Sequence, residues 1–135
     1  GSPMPADAFA AYLAAQMPVW VQNANIVPLS PDQVVKLCTE LEYVKWVKEE
    51  VTPTPRSIGA LCARKSPNVH GVMGGVGGLY LPTEFARGAA GCIVACEVCD
   101  LIQRMWDLLE GGKASEEIVR ERINMLADYI GSIQE

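Results

Sequence analysis

Tyr43-Val44-Lys45-Trp46-Val47-Lys48 is a six-residue run of β-forming residues set between two stretches with helical periodicity. Upstream, Ser30 can cap a helix, with Pro31 as its first residue and Gln33 as the reciprocal partner of a capping box. Val34, Val35, Leu37, Cys38 and Leu41 give that helix an apolar side. Downstream, Thr54-Pro55 opens a second helix carrying Ile58, Leu61 and Cys62 on one face. A strand followed by a helix of this length, repeated, means βαβ units and a parallel sheet. Within the strand, successive side chains point to opposite faces, so Trp46 and Lys48 share one side and Lys45 takes the other.

The same alternation extends in both directions. Residues 7–16 are alanine-rich and helix-prone. Strands are expected near residues 18–22, 43–48, 69–73 and 91–95. The third runs into Gly74, Gly75, Gly77 and Gly78, and a short helix over 80–86 follows with Gly88 as its C-cap. A helix over 97–110 has Val98, Leu101, Ile102, Met105, Leu108 and Leu109 on one side and stops at Gly111-Gly112. Ser115 can cap a last, extra C-terminal helix bearing Val119, Ile123, Leu126 and Ile130. The fold class is α/β. Four strands are too few to close an eight-stranded barrel, and they could equally form a small doubly wound sheet; the pattern alone leaves both open.

At 135 residues, half of them apolar and a fifth charged, the chain has the composition of one globular domain with a real core. Gly1 to Met4 (GSPM) reads as an expression scar and an initiator Met, leaving 5–135 as a single domain. The net charge of −5, with no Lys/Arg cluster, makes nucleic acid and anionic membrane poor partners. No apolar run approaches the length of a membrane span. Five cysteines, an odd number, with no secretion signal in view, point to reduced thiols and a cytoplasmic protein.

Chemistry concentrates at few positions. Lys48 ends an apolar strand, and burial disfavours the ammonium form, so such a lysine can serve as an amine nucleophile. Its plain alternative is a strand-end lysine whose amine reaches water. Glu49 and Glu50 cannot both flank Lys48, because they alternate in direction; a solvated loop start is expected for both. Residues 74–78 could bring backbone N–H groups to a ligand, or form a turn needing positive φ. Cys92, Cys96 and Cys99, with His70 far off in the sequence, fall short of a zinc set and read as buried structural thiols. No metal site is assigned, and His70 is read as structural or surface.

Three stretches together resemble the dihydrodipicolinate synthase and N-acetylneuraminate lyase family of class I pyruvate aldolases. Pro18-Val19-Trp20-Val21-Gln22-Asn23 with Leu29-Ser30-Pro31 is similar to the family's fifth strand and the capped helix after it. Val44-Lys45-Trp46-Val47-Lys48-Glu49 looks like its sixth. Gly74-Gly75-Val76-Gly77-Gly78-Leu79-Tyr80-Leu81, continuing through Arg87-Gly88-Ala89-Ala90-Gly91 to Glu97, is similar to the glycine-rich loop after the seventh strand, a short helix and the eighth strand. The resemblance implies the C-terminal (βα)4 half of a TIM barrel, whose complete form needs ~250 residues. It places Lys48 at the Schiff-base lysine and Gly74, Gly75 and Ile93 in contact with substrate. The expected reaction is lyase, aldolase or dehydratase chemistry on pyruvate or another 2-oxo acid, with no metal or organic cofactor.

Departures from the family pattern are specific. Gln22 stands where Tyr is usual, Trp46 where Gly is usual, and Val94 where Pro is common. The family's Thr-Thr carboxylate loop and its proton-relay tyrosine have no counterpart here. Two further readings therefore stand beside the first: a non-catalytic half-barrel that self-associates into a homodimer or larger oligomer, and a small flavodoxin-like binding domain using the glycine-rich loop.

Overall fold

The computed structural model describes residues 6–112, together with Arg120 and Asn124. Its elements run α1 (Ala6–Ala15), β1 (Val19–Ala24), α2 (Pro31–Glu40), β2 (Val44–Glu50), α3 (Thr54–Cys62), β3 (Gly71–Gly74), α4 (Leu81–Ala86), β4 (Gly91–Cys92) and α5 (Cys99–Glu110). The expected C-terminal helix falls on residues outside the described set, apart from Arg120 and Asn124, which are helical.

The four strands form one sheet in the order β1-β2-β3-β4, every pair parallel. A doubly wound sheet reverses its strand order partway, which puts helices on both faces. Here the order never reverses. The consecutive helices α2, α3, α4 and α5 pack side by side against one face. That is the arrangement of a barrel wall, and it decides between the two folds the sequence left open. The flavodoxin-like sheet is excluded: the structure is a (βα)4 portion of a TIM barrel.

Two apolar clusters hold the helices to the outer face. The larger joins Tyr12 of α1, Val34 and Cys38 of α2, and Ile58 and Leu61 of α3 to Val44, Val47 and Val72 of the strands. The smaller joins Leu81, Ile102 and Met105, with Cys92 and Val94 against them. Each fully buried aliphatic side chain contributes roughly 1.5–3 kcal/mol. The start of α2 is fixed as its sequence implies. The Gln33 N–H donates to Ser30 Oγ, and the Ser30 N–H donates to Gln33 Oε1.

The strand boundaries differ from expectation in all four strands, and β1 runs two residues further than expected, to Ala24. The third strand starts at Gly71, two residues later than expected. β2 runs on through Glu49 and Glu50, because β1 continues alongside and pairs Asn23 with Glu49 and Ala24 with Glu50. At the other edge, the expected strand over 91–95 shrinks to Gly91–Cys92. It has only β3 to pair with among the described strands, and β3 ends at Gly74. One more ladder bond, from the Ile93 N–H to the Gly74 carbonyl at 2.9 Å, follows before the chain turns away.

Candidate functional site

The sheet face away from the helices carries Trp20 and Gln22 from β1, Trp46, Lys48 and Glu50 from β2, and Met73 from β3, with Ile93 just past β4. All are half-buried or exposed. In barrels of this kind that face is the interior, and chemistry sits at the C-terminal strand ends. Lys48 is there, two residues from the end of β2. Lys45 points the other way, its ammonium donating to the Cys38 carbonyl on the helix side. The opposite parity expected for the two lysines holds.

Trp46 occupies the wall below Lys48. It stacks on Trp20 with ring centroids 5.1 Å apart and planes 20° from parallel, and His70 meets it edge-on at 6.5 Å. Room for the indole comes from Gly71. A Cβ there would lie 2.2 Å from a ring carbon of Trp46. His70 is exposed, as expected of a surface position.

Above the tryptophans lies a polar cluster. Lys48 Nζ is 3.1 Å from Glu50 Oε1, with side-chain exposures of 21% and 17%. Gln22 Nε2 donates to Glu50 Oε2 at 2.6 Å, and the Val76 N–H donates to Glu50 Oε1 at 3.1 Å. Burial alone would raise the Glu50 pKa. The donors from Val76, Lys48 and Gln22 outweigh it, and the carboxyl is held below its ordinary value.

Neither glutamate after Lys48 begins a solvated loop. Glu50, two residues along the strand, shares the face of Lys48. Glu49 is buried on the helix side, accepting from Asn23 Nδ2 at 2.9 Å and from the Val51 N–H at 3.1 Å. Burial pushes its carboxyl up, against the pull of those hydrogen bonds. Asn23 reaches Glu49 while its own oxygen accepts the Leu29 N–H at 2.8 Å, tying β1, β2 and the approach to α2 together.

The glycine-rich turn crosses the end of β3. Gly77 and Gly78 adopt φ of 62° and 75°, and Val76 adopts 49°, so this is a turn needing positive φ. Gly74 and Gly75 are both buried. A Cβ on Gly75 would lie 2.2 Å from Glu50 Oε1, and one on Gly74 would lie 2.1 Å from Glu84 Oε2. A carboxylate therefore packs against each side of this dipeptide.

Glu84, on α4, was not singled out from sequence. It is fully buried, its Oε1 accepts the Thr54 hydroxyl, and its Oε2 has no hydrogen-bond partner among the described residues. Burial raises its pKa, and the nearby Glu50 charge adds to that. Glu84 follows Pro82-Thr83 in what reads as the exposed turn of a short helix, so no sequence signal marked it.

The cysteines do not converge. Cys92 is half-buried and its thiol is pushed up to about 12, chiefly by burial and further by the Glu84 charge. Cys96 and Cys99 are exposed, which corrects the expectation of buried thiols for that pair. Both lie past the end of β4, where the chain has already left the sheet. Among the described residues no group of three or more His, Cys, Asp or Glu side chains is placed to hold a metal ion. None of the described helices is long and apolar enough to cross a membrane. A cleft of about 340 Å³ lies on the helix side, lined by Asn23, Glu49, Arg56 and Ser57 among others, and does not include Lys48.

No protein-family model matches this chain, and no curated protein matches it. Solved structures do. Dihydrodipicolinate synthase from Rhodopseudomonas palustris matches with a TM-score of 0.69 over 93% of this chain at 19% identity. A dihydrodipicolinate synthase family protein from Coccidioides immitis matches with a TM-score of 0.72 over 89% at 23% identity. This chain spans 44% and 39% of those two chains, under half of each. At such identities the likeness is one of fold: this chain is folded like part of their barrels.

Proposed function

We propose that the inner face around Lys48 is a carbonyl-binding site of the class I aldolase kind, in which the Lys48 amine forms an imine with a 2-oxo acid such as pyruvate. One observation carries this reading. A lysine stands near the C-terminal end of a parallel strand, on the interior face of a barrel-type sheet, with its ammonium held at 3.1 Å by a carboxylate.

The chemistry follows from the group. The ammonium gives up a proton to solvent, the nitrogen attacks the ketone carbon, and the neutral carbinolamine takes a proton back from solvent onto its hydroxyl and loses water to give a protonated imine. That cation withdraws electrons from the adjacent carbon, which permits C–C bond making or breaking, or dehydration. The imine is itself the electron sink, so the reaction calls on no metal or organic cofactor. Glu50 keeps a negative charge within reach of the nitrogen, which favours the iminium over the neutral imine.

Incubation with pyruvate and borohydride, read by intact mass and peptide mapping, tests this. The expected adduct sits on Lys48, is lost in Lys48→Ala and is kept in Lys45→Ala. An adduct that survives Lys48→Ala removes the assignment.

A second reading concerns assembly, and the exposure of the inner face favours it. Trp20 is 43% exposed and Ile93 37%. We propose that this face is covered by a second copy of the chain, and that the assembled form is the one in which Lys48 is shielded from bulk water.

A further inference from the structure

The polar cluster beside Lys48 has an unusual economy: three separate segments of the chain meet on one carboxylate. Glu50 Oε1 takes both the Lys48 ammonium and the Val76 N–H, each at 3.1 Å, and Glu50 Oε2 takes Gln22 at 2.6 Å. Lys48 is on β2, Gln22 on β1, and Val76 on the turn after β3. We infer that Glu50 is a positioning residue that sets the Lys48 nitrogen and the glycine-rich turn from a single oxygen atom. Its chemical consequence rests on the Lys48 reading above; its geometry does not.

Three observations support it. First, Val76 is a β-branched residue at φ 49°. That conformation is a genuine outlier for such a side chain and persists only where its surroundings over-determine it. The hydrogen bond to Glu50 is such a constraint. Second, Gly75 has no side chain where one would strike Glu50 Oε1 at 2.2 Å, so the turn fits closely around this carboxylate. Third, the anion is well supplied with donors. Lys48, Gln22 and Val76 hold it ionised against the burial that opposes charge. Of the other titratable groups nearby, Glu84 packs against Gly74, and burial pushes the Cys92 thiol up to about 12.

During imine formation the lysine nitrogen goes from three N–H groups to one. The Val76 and Gln22 bonds are untouched by that change, so Glu50 stays in place as counter-ion while the nitrogen reacts. The glycine-rich turn keeps its bond to Glu50 for the same reason. A further consequence concerns ligand polarity. The Val76 N–H is already taken by an anion, so a ligand group facing Glu50 is a donor or a cation, and a substrate carboxylate lies elsewhere.

Two variants separate the two bonds. Glu50→Gln removes the charge but keeps an oxygen in the position of Oε1; Glu50→Ala removes both. Acetylation with limiting acetic anhydride at mildly alkaline pH, quantified by peptide mapping, reports the reactivity of Lys48 against Lys65 as internal standard. Hydrogen exchange reports the Val76 amide. In Glu50→Gln, Lys48 acetylation relative to Lys65 is expected to rise about fivefold, the factor of a partly exposed ion pair, with Val76 exchange close to that of the unaltered chain. In Glu50→Ala, Lys48 reactivity rises likewise and Val76 exchange quickens about tenfold, the loss of one hydrogen bond. Unchanged Lys48 reactivity in Glu50→Gln overturns the inference, as does unchanged Val76 exchange in Glu50→Ala. If Glu50→Ala does not fold, the Glu50→Gln acetylation ratio decides alone. Absence of any pyruvate adduct on the unaltered chain, with the acetylation shift present, would defeat the imine reading and leave the positioning role standing.

Discussion

Glu84 shows how a single buried group sets a pH response. It is fully buried, with one oxygen bonded by Thr54 and the other without a hydrogen-bond partner among the described residues, and burial raises its pKa. A carboxyl with a raised folded-state pKa binds more protons folded than unfolded. Stability therefore falls as pH rises from the unfolded value, about 4.3 for glutamate, through the folded one. Glu49, raised by burial too, works in the same direction. Glu50, lowered, works in the opposite one and loses its contribution as pH falls. In Glu84→Gln the first effect loses one of its sources. Urea unfolding between pH 4.5 and pH 7 should then show a smaller loss of stability than the unaltered chain; an equal loss would mean that Glu84 is not the titrating group. The sequence exposed part of this residue-level picture. Parity placed Trp46 and Lys48 on one face and Lys45 on the other. It would have added Glu50 to the face of Lys48 had the strand been carried two residues further, but the apolar run stops at Val47 and hides the true strand end. Glu84 was beyond reach, because its burial depends on α3 and β3 closing over it from distant parts of the chain.

At the scale of elements, the glycine-rich turn separates backbone strain from packing. Gly77 and Gly78 both have positive φ, but a Cβ on Gly77 meets nothing within 4 Å, whereas one on Gly78 lies 2.1 Å from Ile102 Cδ1. Gly77→Ala carries only the left-handed cost, roughly 1–2 kcal/mol. Gly78→Ala adds overpacking against α5, about 1–3 kcal/mol more. Chemical denaturation of the two variants should rank them in that order; equal losses would show that α5 yields freely at Ile102. The elements themselves were largely legible. The capping box at Ser30, the apolar faces of α2, α3 and α5, and the start of β2 follow from local residue chemistry. β4 did not, since Gly91-Cys92-Ile93-Val94-Ala95 has the composition of a full strand. Its length is decided by how much of β3 remains to pair with, a long-range matter. The choice between barrel wall and doubly wound sheet was also closed to periodicity, since strand order is not a local property.

At the scale of the molecule, the sheet has a covered outer face and an inner face that none of the described core clusters touches. The outer edges of β1 and β4 have no strand paired to them among the described residues, and such edges invite pairing with another chain. Trp20, Val76, Leu79, Tyr80 and Ile93 are each at least a third exposed. Each large apolar side chain left in water forgoes a share of roughly 1.5–3 kcal/mol, against a domain stability of only ~5–15 kcal/mol. A two-fold dimer is the simplest closed arrangement that covers both the face and the edges. Covering the face would also shield Lys48 from bulk water, so the proposed assembly and the proposed imine chemistry stand to affect one another. Sedimentation velocity at micromolar concentration tests most directly whether the Trp20–Trp46–Lys48 face is a barrel wall that needs a partner over it. A homodimer or larger oligomer is expected, with Trp46 substitution by a charged residue shifting it toward monomer. A cooperative monomer that binds no hydrophobic dye would contradict it.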